Sequence, residues 1–175
     1  RVVPPGVVNV IAGGDDLGRW MTEHPGIDKI SFTGSTRTGK KVMASAAGNL
    51  KRVGLELGGN DAAVVLKDVN PRKVAQRLFD GAFTNSGQIC MAIKRLYAEA
   101  PVFEAVCEEL EKLARSARVG DGFDPAVTMG PVQNAMQYKL VNDVLAEVEN
   151  DPRASILGGG QDLPSAGYFI APRVV

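Results

Sequence analysis

Histidine is almost absent from this chain. His24 is the only one in 175 residues, and cysteine occurs twice, at Cys90 and Cys107. Three such residues cannot build a His/Cys zinc site of the usual four-ligand kind, and no metal is expected. Two thiols are also too few for the disulfide framework of a small secreted domain, so a reducing, cytoplasmic setting is the simpler expectation. An excess of either charge is missing too. Lys+Arg and Asp+Glu stand at 20 each, which removes long-range steering toward nucleic acid or an anionic membrane. The apolar runs are short and end at turn residues, so none reads as a bilayer-spanning helix. Repeats, like-charge blocks and low-complexity tracts are absent from the sequence. An initiating Met and a signal peptide are missing as well. The chain opens on Arg1 and stops within the apolar run GYFIAPRVV, so the expectation is an internal piece of a longer protein, truncated at both ends.

What is present is a hydrophobic share of 45% and a strand–helix alternation with short joints, the pattern of a parallel α/β sheet. Strands are expected at Val7–Ile11, Ile27–Phe32, Lys51–Leu57, Ala62–Leu66, Arg95–Glu99, Ser155–Leu157 and Tyr168–Val175. A helix is expected from Asp15-Asp16, with Leu17, Trp20 and Met21 on one face. Another spans Thr36–Ala47, with Val42, Met43, Ala46 and Ala47 inward. Asn70-Pro71 reads as a cap with proline in the first turn of a third helix. Pro101–Arg118 has an apolar stripe of Val102, Val106, Leu110, Leu113 and Ala117, with Glu108/Lys112 and Glu111/Arg115 four apart on its wet side. Val132–Glu149 is the last helix. The best domain border is Gly58-Gly59.

Three stretches carry chemistry. In KISFTGSTRTGKK, Gly34, Gly39 and Lys40 have the spacing of a nucleotide-triphosphate loop between a strand and a helix. Lys41, however, stands where that loop needs the hydroxyl of Ser or Thr for magnesium. The same residues also suit a plain phosphate site, because unpaired N–H groups at a helix mouth attract anions and Ser35 adds a hydroxyl. An ordinary capped helix is the third reading. In LELGGN, Glu56 sits between two leucines at a strand end. Partial desolvation there would make a better general base, whereas strand alternation equally allows it to point outward. In FTNSGQIC, Cys90 follows a helix in a glycine-containing turn, where a thiolate could be exposed and activated. Burial as a small hydrophobe is the alternative. Cys107 shares a helical stripe with Phe103, Leu110 and Ala114 and reads as core filler. A Cys–His pair is not expected, since His24 precedes Pro25 in a surface turn.

Taken together, SFTGSTRTGK, LELGGN and FTNSGQICMAIKR resemble the cofactor, glutamate and cysteine motifs of the NAD(P)-dependent aldehyde dehydrogenase superfamily. PPGVVNVIAG, HPGIDKISFTGS, MGPVQN and GYFIAPRVV follow the family in order, so the resemblance covers essentially the whole chain. It implies the end of a Rossmann-like cofactor domain (residues 1–58) followed by the first part of an α/β catalytic domain (residues 59–175). It further implies Cys90 as nucleophile and Glu56 as the base that activates water. Cofactor contacts from Gly34, Ser35, Thr36, Gly39 and Leu57 are implied too, with NAD or NADP as cofactor, an aldehyde as substrate and a homo-oligomeric parent. The oxyanion would take the Cys90 backbone N–H and an amide side chain from elsewhere. Asn60 stands where the family more often has lysine, and Arg173 where a small polar residue is commoner. The runner-up function is a nucleotide hydrolase using Gly34–Lys40.

Overall fold

The structure, a computed structural model, describes residues 2–175. It divides into two compact units, Arg1–Gly58 and Gly59–Val175. No helix among the described residues is long and apolar enough to cross a membrane.

The first unit contains α1 (Asp15–Glu23), β1 (Lys29–Thr33), α2 (Thr36–Ala47) and β2 (Arg52–Glu56). The strands β1 and β2 pair in parallel, from Lys29 opposite Arg52 to Thr33 opposite Glu56. The helix α2 forms because Ser35 caps it, its hydroxyl accepting from Thr38 N–H at 3.2 Å. Its buried face is Gly39, Val42 and Ala46. Met43 is 55% exposed rather than inward, as is Trp20 at 57% on α1. The buried residue of α1 is polar. Thr22 Oγ1 bonds to Arg19 O at 2.7 Å and pairs with Ser45 Oγ of α2 at 2.9 Å.

Val7–Ile11 is not a strand. Its residues are irregular and exposed after a turn at Pro4–Val7. A β-branched run still needs a neighbour for its N–H and C=O groups, and no described strand pairs with it.

The second unit contains β3 (Asp61–Val65), α3 (Pro71–Phe83), β4 (Ile93–Ala98), α4 (Ala100–Ser116), α5 (Ala135–Glu149), β5 (Leu157–Gly158) and β6 (Arg173–Val174). Parallel β3 and β4 form one two-stranded sheet, and antiparallel β5 and β6 another. The expected final strand from Tyr168 thus shrinks to two residues. Asn70 caps α3 by accepting from Lys73 N–H at 3.1 Å, with Pro71 in the first turn.

The core is Val65, Val102, Val106 and Leu110, with Leu78, Phe79 and Leu96 packed against it. On the wet side of α4, Arg115 pairs with Glu111 at 2.8 Å, whereas Lys112 pairs with Glu109 at 2.7 Å, not with Glu108. Spacings of three and four both face on a helix. The helix α5 is capped by Asn134 but buries no residue.

Candidate active site

The first unit brings the phosphate-loop and glutamate segments to one place. Because β1 and β2 are parallel and in register to Thr33/Glu56, the chain leaves both strands at the same end. Gly34 N–H donates to the Glu56 carbonyl at 3.0 Å. Carboxyl ends of parallel strands are where open α/β sheets hold ligands.

At the mouth of α2, Ser35 Oγ both caps Thr38 N–H and donates to Thr38 Oγ1 at 3.0 Å. The N–H groups of Thr36 and Arg37 have no acceptor among the described residues. Unpaired N–H groups at a helix mouth suit an anionic group. Gly39 is buried one turn further in. An added Cβ would stand 2.7 Å from Leu57 Cδ2, so the missing side chain permits close helix–strand packing. That packing also seats Leu57. Glu56 itself is exposed, the outward of the two orientations that strand alternation allows. Lys40 and Lys41 are exposed on α2.

The second unit builds the thiol loop. Residues Thr84–Gly87 follow α3 in a tight turn, with Asn85 at φ 53°, Ser86 at φ 57° and Gly87 at φ 72°. Left-handed backbone costs a non-glycine residue about 1–2 kcal/mol, so the surroundings must hold two such residues in place. They do so through the MGPVQN segment. Ser86 Oγ donates to Gly130 O at 2.8 Å. The Gln88 side chain donates to Asn85 O at 3.1 Å and Pro131 O at 3.4 Å, and accepts from Gln133 N–H at 2.8 Å.

The turn delivers Cys90 to the entrance of β4 with its thiol exposed. The Cys90 N–H has no acceptor among the described residues. Its carbonyl is crowded by Gly59, where an added Cβ would approach it to 2.9 Å. Arg95 holds the neighbouring Asn60 carbonyl through Nε at 3.1 Å and Nη2 at 2.7 Å. Cys107 is half-buried on α4, less enclosed than expected, and its stripe partner Phe103 is 48% exposed. Burial, and then the Glu104 charge, pushes the Cys107 thiol above its usual value. His24 is exposed in its turn, accepting from Gly26 N–H at 3.0 Å.

Of the expected residues, Gly34, Ser35, Thr36, Gly39, Glu56 and Leu57 belong to the first unit and Cys90 to the second. Ser86, Gln88 and Lys94 were not anticipated. The MGPVQN segment was the available signal, while the paired glycines of LELGGN already pointed to the close approach seen at Gly59.

The family model described as "Aldehyde dehydrogenase family" matches residues 2–175. A Pseudomonas sp protein named "Probable aldehyde dehydrogenase" is 49% identical over 96% of this chain and 34% of its own length. Aldehyde dehydrogenase family 2 member C4 of Arabidopsis thaliana is 37% identical over 98% of this chain and 34% of its own. Among solved structures, an E. coli NADP-dependent enzyme superposes with a TM-score of 0.84 at 32% identity, over 94% of this chain and 34% of that one. A lactaldehyde dehydrogenase superposes with a TM-score of 0.82 at 28% identity, over 90% and 33%. The chain spans about a third of the length of the curated relatives it matches.

Proposed function

The chain belongs to the aldehyde dehydrogenase family, and from that premise we propose that its parent protein oxidises an aldehyde to a carboxylic acid with NAD(P)+. The observation that carries this is the family match across residues 2–175. The α/β elements and the likeness to solved family members accord with it.

In the proposed mechanism the Cys90 thiolate adds to the aldehyde carbon. The carbonyl π pair moves to oxygen, and the unpartnered Cys90 N–H donates to the charge that develops there. Gly34, Ser35 and Thr36 would hold the cofactor pyrophosphate at the α2 mouth, with Gly39 and Leu57 packed beside them. When bound, a nicotinamide cofactor would supply the oxidising power, as a two-electron hydride acceptor, by which the Cys90 adduct becomes a thioester. Glu56 takes a proton from water, the water oxygen attacks the thioester carbon, and the C–S bond breaks to release carboxylate and free Cys90. Residues 1–58 are thereby assigned to cofactor binding and 59–175 to catalysis. A cytoplasmic, homo-oligomeric parent belongs to the same reading, supported by two unbridged thiols and the family relationship.

The test is aldehyde-dependent NAD(P)H formation by the full-length protein. Cys90→Ser is expected to lower kcat by roughly 10³-fold or more. Glu56→Gln is expected to leave a fast first turnover and slow the steady state, because acylation proceeds while hydrolysis does not. Full activity in Cys90→Ser would overturn the assignment of the nucleophile.

A further inference from the structure

The pairing of β3 with β4 has a break. Asp61 lies opposite Ile93 and Ala62 opposite Arg95, so Lys94 is the extra residue of a bulge. Bulges are uncommon between parallel strands, and they re-aim the inserted side chain. Here the Lys94 side chain turns back onto the thiol loop. Its Nζ donates to the Ile89 carbonyl and to the Cys90 carbonyl, each at 2.9 Å.

The Ile89 carbonyl also accepts from Ala92 N–H at 3.1 Å, which engages both of its lone pairs. That carbonyl and the Cys90 N–H are opposite ends of one planar trans peptide. Fixing the carbonyl end therefore fixes the direction of the N–H end. An ammonium donor also draws electron density toward the carbonyl oxygen, which leaves the N–H a stronger donor. Bonds in such a chain reinforce one another by about 10–30% each, and charged donors act most strongly. The Cys90 N–H at the far end has no acceptor among the described residues.

We propose that Lys94 is a positioning residue for the oxyanion: held by the bulge on the Ile89 and Cys90 carbonyls, its ammonium orients and polarises the Cys90 N–H. The inference rests on the reading of Cys90 as nucleophile. As the S–C bond forms and the carbonyl π pair moves to oxygen, that N–H meets the new charge already aligned. No proton leaves Lys94.

Lys94→Met and Lys94→Arg in the full-length protein test this, beside Cys90→Ser. Lys94→Met is expected to lower kcat about tenfold, short of the roughly 10²–10³-fold for losing a whole oxyanion donor. Its KM for the cofactor should stay within about twofold of the parent's, since only charge that develops in the reaction is affected. Lys94→Arg keeps a cation with N–H donors and should recover kcat to within about threefold. Wild-type kcat in Lys94→Met, with Cys90→Ser inactive, would overturn this inference alone. Equal loss in Lys94→Met and Lys94→Arg, with cofactor KM rising in both, would assign Lys94 to loop architecture and also overturn it. An active Cys90→Ser would overturn the nucleophile reading and this inference with it.

Discussion

An added Cβ on Gly59 would stand 2.9 Å from the carbonyl oxygen of Cys90. The Asp61 carboxylate lies closer still and can swing aside, but the Cys90 oxygen is backbone and already tied to Lys94, so the thiol loop must shift as well. Gly59→Ala is expected to lower kcat roughly tenfold, because small displacements of a reacting group are costly. Gly58, where an added Cβ would meet nothing within 4 Å, is the comparison, and Gly58→Ala should retain the parent's kcat. The two thiols differ at this scale as well. Cys107 is pushed up, first by burial and then by Glu104. A raised value keeps the thiol protonated over a wider range, and only the thiolate alkylates. Labelling of Cys107 should therefore lag at neutral pH and climb only above the ordinary thiol value of about 8.5. Peptide mass mapping after timed alkylation reads this directly. Cys107 labelling along an unshifted thiol curve would contradict it.

Two helices begin with the same device at different places. Ser35 caps α2 through Thr38 N–H and Asn70 caps α3 through Lys73 N–H. Removing either cap should cost about 1 kcal/mol of stability. In the proposed function only α2 faces a ligand. Ser35→Ala should lower the thermal midpoint and raise the cofactor KM several-fold, whereas Asn70→Ala should lower the midpoint alone. Equal cofactor KM in the two variants would remove Ser35 from the cofactor site. These elements were legible in the sequence because their causes are local. Asn70-Pro71 announces a helix within two residues, and Val102, Val106 and Leu110 repeat at helical spacing along α4. Val7–Ile11 misled because a strand is decided by its neighbour, and β-branched composition does not supply one. The exposure of Glu56 was equally out of reach, since alternation along β2 fits either face. The bracing of the thiol loop depends on contacts across 44 and 45 residues, Ser86 with Gly130 and Gln88 with Gln133. Lys94 reaches Cys90 only because one residue of β4 lies outside the register. Sequence spacing carries no trace of either.

The chain exposes 12607 Å². A folded monomer of 18.5 kDa exposes roughly 8200 Å², and two independently folded units of these lengths roughly 9800 Å² together. Large apolar side chains are among what is exposed. On α5, Met136, Leu140 and Val144 are each about half exposed. On the β3–β4 sheet Val64 is 69% and Tyr97 55% exposed. Patches of this kind on a stable protein are covered by further structure or by a partner. The same reasoning reaches the chemistry. The cofactor contacts assigned to residues 34–57 are one loop and one helix mouth, and the Cys90 N–H is a single oxyanion donor. We therefore expect residues 1–175 expressed alone to bind a hydrophobic dye strongly and to turn over no aldehyde, while the full-length protein binds little dye and is active. Dye fluorescence and NAD(P)H formation, measured side by side after circular dichroism has established helix content, test both halves of the expectation. Turnover by residues 1–175 alone at the full-length rate would mean that the thiol loop and the α2 mouth suffice for catalysis, and that the exposed apolar faces serve some purpose other than completing the enzyme.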